Sequence, residues 1–113
     1  MTDSNEEITL TGTWICKIDN MPDLIEIFHD DFTFETRISG TDLTFKGKFR
    51  IDTGEKPWHI DLMVEQSSFQ NMPLGKYTGI FEINGTTCRS CVAMPGQQRP
   101  QEFGEGSTLA ERC

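Results

Sequence analysis

The feature of this sequence that most constrains its fold is a two-residue alternation of apolar and polar side chains. The clearest example runs from Leu43 to Ile51, where Leu, Phe, Gly, Phe and Ile alternate with Thr, Lys, Lys and Arg. Successive side chains of a β-strand point to opposite faces, so this pattern is typical of a strand with one buried face. Ala and Leu are scarce, whereas Thr, Ile and Phe are abundant. We therefore expect an all-β protein.

The alternation recurs in short segments separated by turn residues. A first strand is expected at Ile8 to Ile18, with Trp14 facing inward, and Asn84-Gly85 is a strong hairpin signal. The segment from Leu24 to Phe28 fits either a strand or one turn of helix after Pro22. The predicted strands cover residues 8–18, 24–28, 32–38, 43–51, 58–65, 77–83, 86–94 and 102–112.

About eight sequential strands with tight turns favour an eight-stranded up-and-down antiparallel β-barrel, because closure buries the apolar faces and leaves no exposed edge. With 113 residues the chain has room for one domain. We expect a flexible acidic tail at residues 1–7 and a single barrel domain at residues 8–113. The irregular stretch from Gln66 to Pro73 is a candidate lid.

The charge of the chain limits the kinds of molecule that it is expected to bind. The chain has 10 Lys and Arg against 18 Asp and Glu, a net charge of −8, and shows no basic stripe. We therefore expect an acidic protein that binds neither nucleic acid nor an anionic membrane surface. Residues 1–7 do not resemble a secretory signal, which favours a cytoplasmic protein with mostly free thiols at its four cysteines. Either a monomer or a homodimer is compatible with the sequence.

The aromatic side chains predicted to face inward define the candidate site. An eight-stranded barrel is either filled by its own side chains or holds one small ligand. Tyr77 is the inward polar group, and Arg99 is predicted to reach the barrel mouth and meet a ligand carboxylate. The inward set also includes Phe32, Trp58 and Leu62. The predicted ligand-binding residues are Trp14, Phe34, Phe45, Phe49, Tyr77, Phe81 and Arg99.

Two other patterns resemble reactive sites. Cys88 and Cys91 have the spacing of a redox or zinc half-site, but residues three apart on a strand face opposite sides. Cys88 is instead expected in the core, where Cys16 could meet it across the barrel. His59 and Asp61 share an outer face, which favours a solvated pair over a general base. No catalytic residue, metal site or cofactor is therefore predicted.

Several short motifs resemble a known fold family. Gly12-Thr13-Trp14 on the first strand, with Arg112 near the end of the last, resembles the lipocalin and calycin pattern. In that pattern the Trp closes one barrel end beneath the Arg. The run from Gly79 to Phe103, with Pro95-Gly96 and Arg99-Pro100, is similar to a small uncharacterised lipocalin-like domain family known mainly from planctomycetes. The resemblance implies a fold and no reaction.

These observations lead to two functional expectations. The first is a non-enzymatic binding module that holds a small apolar or amphipathic molecule inside the barrel. The second is a protein-interaction or regulatory domain whose barrel is filled. A cavity favours the first expectation, and a filled barrel with an exposed apolar patch favours the second.

Overall fold

The computed structural model describes residues 10–17, 20–68, 73–104 and 106–112. The predicted tail at residues 1–7 lies outside these ranges. Within them the chain forms eight β-strands and no helix. The strands are β1 (Gly12–Cys16), β2 (Leu24–Phe28), β3 (Thr33–Ile38), β4 (Thr44–Asp52), β5 (Trp58–Ser67), β6 (Gly75–Asn84), β7 (Thr87–Ala93) and β8 (Ser107–Arg112).

The strands close into one barrel. Each strand pairs antiparallel with the next, and β8 returns to β1 with Trp14 opposite Arg112 and Cys16 opposite Ala110. The predicted eight-stranded up-and-down antiparallel barrel is thus confirmed. Leu24–Phe28 pairs along its whole length with both β1 and β3, which excludes the helical alternative for this segment.

Glycines fix two points of the backbone. Gly85 has a φ of 66°, the left-handed conformation that the β6–β7 turn requires and that side chains disfavour. At Gly47 the register between β4 and β5 shifts in a bulge, and a Cβ there would overlap the backbone oxygen of Met63. The two strands approach each other this closely because position 47 has no side chain.

One end of the barrel is closed by packed side chains; we call it the closed end. Trp14 is 1% exposed there, and its indole Nε1 donates a hydrogen bond to the Leu10 carbonyl at 2.9 Å. The Arg112 guanidinium lies 4.2 Å above the indole ring and donates to the Thr11 carbonyl at 2.9 Å. This is the Trp and Arg arrangement that the lipocalin resemblance implies.

Aromatic pairs fill the barrel interior around the closed end. The rings of Phe28 and Phe49 meet edge to face at 5.0 Å, and those of Trp58 and Phe81 lie 5.5 Å apart. Contacts between aromatic rings stabilise a core by more than the burial of their apolar surface alone. Phe32, expected inside, is 59% exposed, because its left-handed φ of 65° in the β2–β3 turn directs the side chain outward.

Candidate functional site

The opposite end of the barrel, where β1 finishes, contains a cavity of about 210 Å³; we call it the open end. Side chains from seven of the eight strands contribute to its wall, so the cavity lies inside the barrel. Its lining residues are Leu24, Glu26, Phe28, Phe34, Thr36, Phe45, Leu62, Tyr77, Ser90, Val92, Gly106 and Thr108.

The predicted site residues divide between this cavity and the packed interior. Phe34 and Phe45 line the cavity, with ring centroids 6.4 Å apart. Trp14, Phe49 and Phe81 are at most 7% exposed and are absent from the cavity wall. They were expected to be walls, but neighbouring rings and Arg112 already fill the space around them. These three residues belong to the packed hydrophobic core of the barrel.

Tyr77 lines the cavity as predicted, and its hydroxyl is engaged. It donates a hydrogen bond of 2.7 Å to the carbonyl of Pro73, and burial raises its pKa. This bond fixes Pro73, the last residue of the candidate lid at Gln66 to Pro73. Gln66 itself belongs to β5, and residues 69–72 lie outside the described residues, so the predicted lid stays a prediction.

Arg99 does not reach the barrel mouth. Its guanidinium donates to Asp61 Oδ1 at 2.6 Å and to the carbonyls of Ile60 and Gly79 at 3.2 and 2.8 Å. Asp61 faces outward from β5, so the segment from 94 to 104 folds back along the outside of the barrel; we call it the strap. Ile80 has an outward position on β6 yet is 0% exposed, which indicates that the strap covers this part of the wall.

Glu26 is a cavity residue that the sequence analysis missed. It lies in the middle of β2, opposite Trp14 on β1 and Thr36 on β3. Its parity with Leu24 and the buried Phe28 places its side chain inside the barrel. The segment Leu-Ile-Glu-Ile-Phe hides this signal, because apolar residues occupy both of its faces.

The Glu26 carboxyl has no hydrogen-bond or ion-pair partner among the described residues. The Glu26 side chain as a whole is half-buried, since the open cavity leaves it some accessible surface, but its carboxyl is desolvated. Burial therefore disfavours its charged form and raises the pKa of Glu26 from 4.5 to about 7. A group with such a pKa changes its charge near neutral pH, which is a common property of functional residues.

Two buried thiols belong to the same interior. Burial is the main cause of the raised pKa of both Cys16 and Cys88, and the charge of Glu26 adds to it; for Cys88 the pKa rises to about 12. Both cysteines are free, and they flank Ala110 from opposite sides of β8. Two strand spacings, roughly 10 Å, therefore separate their backbones, which exceeds the reach of a disulfide. The two cysteines therefore approach each other only across Ala110 and form no disulfide.

The other candidate reactive groups lie on the outer wall. Asp61, the suggested partner of His59, is held by Arg99 and lies 3.8 Å from the Lys76 ammonium. Cys88 points inward and Cys91 lies on the outer side, as their spacing predicts. In the part of the chain that the structure describes, no group of three or more His, Cys, Asp or Glu residues could hold a metal ion.

Exposed apolar side chains surround the open end. Met21 precedes β2, Leu74 precedes β6, and Val92 and Met94 lie where β7 finishes. Their exposed fractions range from 37% to 62%. The mouth of the cavity therefore has an apolar rim. Over residues 10–17, 20–68, 73–104 and 106–112, no helix is long and apolar enough to cross a membrane.

Comparisons of this chain with protein-family models, with curated proteins and with solved structures found no match. The relationship to a lipocalin-like family therefore stays a prediction from the quoted motifs.

Proposed function

We propose that this protein is a non-enzymatic binding module that holds one small amphipathic molecule at the open end of its barrel. The cavity of about 210 Å³ carries the proposal. Drug-sized ligands occupy pockets of roughly 300–1,000 Å³, whereas an engineered cavity of about 150 Å³ accommodates benzene. The expected ligand is therefore only somewhat larger than a single aromatic ring.

The composition of the cavity wall supports an amphipathic ligand. Phe34, Phe45 and Leu62 supply apolar surface, while Thr36 and Ser90 place hydroxyl groups among them. Binding sites for small molecules typically combine apolar walls with a few polar groups that fix orientation. The apolar rim adds a surface along which a ligand of this kind can enter.

The apolar rim also favours a second candidate function, a domain that docks a protein partner. Met21 and Leu74 are 62% and 59% exposed, and exposed apolar residues that cluster mark interaction surfaces. A domain of this kind would bind its partner through the rim and leave the cavity without a ligand.

A titration with phenethyl alcohol tests the binding function. We expect saturable chemical-shift changes in amide NMR spectra, confined to residues that line the cavity. The variant Leu62→Trp fills the cavity and should abolish the changes, whereas Met63→Trp, on the outer face of the same strand, should preserve them. Circular dichroism would verify that both variants are folded.

Three results would contradict the proposal: absence of saturable binding, shifts distributed over the outer surface, or undiminished binding by folded Leu62→Trp. Native mass spectrometry of the freshly purified protein separates the two candidate functions. A small molecule that is lost on denaturation supports the binding module. The absence of a bound small molecule, together with a protein that co-purifies in complex with this chain, supports the docking domain.

A further inference from the structure

One described residue of the cavity wall is acidic, and no other described residue is its hydrogen-bond or ion-pair partner. Among the lining residues in the described ranges, Glu26 is the only acidic or basic one. Its carboxyl accepts no hydrogen bond and forms no ion pair there. Buried carboxylates in proteins are normally paired, because an isolated buried charge is strongly unfavourable. The missing partner is therefore expected from outside the protein.

The surroundings of Glu26 favour a cationic partner. The rings of Phe28 and Phe34 lie 6.2 Å apart in a stacked arrangement on the same cavity wall. Aromatic faces attract cations, and an ammonium donates short, strong hydrogen bonds to a carboxylate. Thr36, opposite Glu26 on β3, provides a hydroxyl oxygen that can accept a further hydrogen bond.

We propose that the cavity binds a small organic amine, with its ammonium group at the Glu26 carboxylate and its apolar part against Phe45 and Leu62. This inference rests on the proposed binding function and names its ligand class. An anionic ligand of the same size is disfavoured by the negative charge that Glu26 carries when ionised. A neutral ligand can donate a hydrogen bond to the carboxylate through a hydroxyl group, but it leaves the negative charge uncompensated.

The other titratable groups near Glu26 do not supply a positive charge. Cys16 faces it from β1, Cys88 from β7, and Tyr77 lines the cavity from β6. Burial raises the pKa of each of these three groups, so all are neutral near pH 7. Arg112 on β8 lies at the closed end, stacked on the indole ring. Amine binding should therefore follow the ionisation of Glu26.

Isothermal titration calorimetry with three probes of similar shape tests this inference on the 113-residue chain. The probes are phenethylamine, phenethyl alcohol and hydrocinnamate, which carry a positive, no and a negative charge. At about pH 8.5 we expect the amine to bind about tenfold tighter than the alcohol, since hydrogen bonds to charged groups are the stronger ones. Hydrocinnamate should bind at least about tenfold more weakly than the alcohol.

Two variants test whether the preference for the amine over the alcohol depends on the Glu26 carboxyl. Glu26→Gln keeps the shape of the side chain and should remove the preference for the amine while the alcohol still binds within about threefold. Glu65→Gln, an exposed position on the outer face of β5, is the matched control and should leave the order of the probes unchanged. In the unmodified protein the preference should fade at about pH 5.5, where Glu26 is protonated.

The outcomes separate this inference from the binding function. If amine and alcohol bind equally, or if Glu26→Gln retains the preference, the inference is overturned and the binding function stands. If none of the three probes binds, both are overturned. A preference that survives unchanged at about pH 5.5 also overturns the role of Glu26, because its carboxyl is then neutral.

Discussion

Replacing Glu26 with Gln should make the protein more stable at alkaline pH and change its stability little at acidic pH. The carboxyl has a pKa of about 7 in the folded protein against 4.5 as its ordinary value. Between these two values the folded state binds more protons than the unfolded state, so the Glu26 contribution to stability falls as pH rises. The difference between these two pKa values corresponds to about 3 kcal/mol of unfolding free energy.

The sign of the effect follows from burial. Below about pH 4.5 the carboxyl is neutral in both states, and its contribution is fully favourable. Above about pH 7 the folded protein must hold a desolvated charge that the unfolded chain exposes to water. Gln has a similar shape and carries no charge at any pH. The free-energy difference between the variant and the original protein should therefore grow with pH.

Urea denaturation followed by tryptophan fluorescence measures this difference. Midpoints and slopes would be collected from about pH 4 to 8.5 for the original protein and for Glu26→Gln. All other titrating groups are shared, so their contributions cancel in the comparison. Glu65→Gln, exposed on the outside of β5, serves as the control and should show no such pH-dependent gain. Parallel profiles for Glu26→Gln and the original protein would refute the reasoning that the carboxyl is desolvated.

Three further predictions concern the barrel wall. Gly47→Ala should lower the unfolding free energy by about 3 kcal/mol or more in urea denaturation, because its Cβ overlaps the backbone of β5; a smaller loss would mean that the bulge can relax. Arg99→Ala should lower the unfolding free energy by about 2 kcal/mol, because Asp61 loses its partner at 2.6 Å. The same variant should accelerate chymotrypsin cleavage in the strap. Unchanged cleavage would argue against the role of Arg99 in holding the strap on the barrel wall. In a variant without the C-terminal cysteine, maleimide at about pH 8 should label Cys91 and spare Cys88, whose pKa burial raises to about 12; rapid labelling of Cys88 in the native state would contradict its burial.

The sequence was sufficient for the fold because strand formation leaves a periodic signal. The alternation from Leu43 to Ile51 predicts β4, and Asn84-Gly85 predicts the β6–β7 turn, both of which the structure confirms. Closure between β1 and β8 follows from burial of the edges rather than from any local motif. Strand periodicity and turn chemistry are local consequences of residue type, so they can be predicted without coordinates.

The candidate site was less predictable because it depends on how distant segments meet. The inward position of Glu26 cannot be predicted locally, because Ile25 and Ile27 give its strand two apolar faces and only pairing with β1 and β3 decides which face is inside. Arg99 lies in a loop without periodicity, and nothing local determines whether that loop crosses the mouth or folds back to Asp61. Packing between strands likewise decides which aromatic rings line the cavity and which are buried in the core.

The contrast between the two barrel ends bears on how this chain can diversify. The contacts that close one end involve Trp14, Arg112 and the packed rings of Trp58 and Phe81. The groups that would select a ligand, such as Glu26 and Val92, belong to the other end. Substitutions at the open end should therefore alter the proposed ligand selection without disturbing the packing at the closed end. This separation of packing from the proposed binding site would make the barrel a starting scaffold for engineered receptors of small molecules.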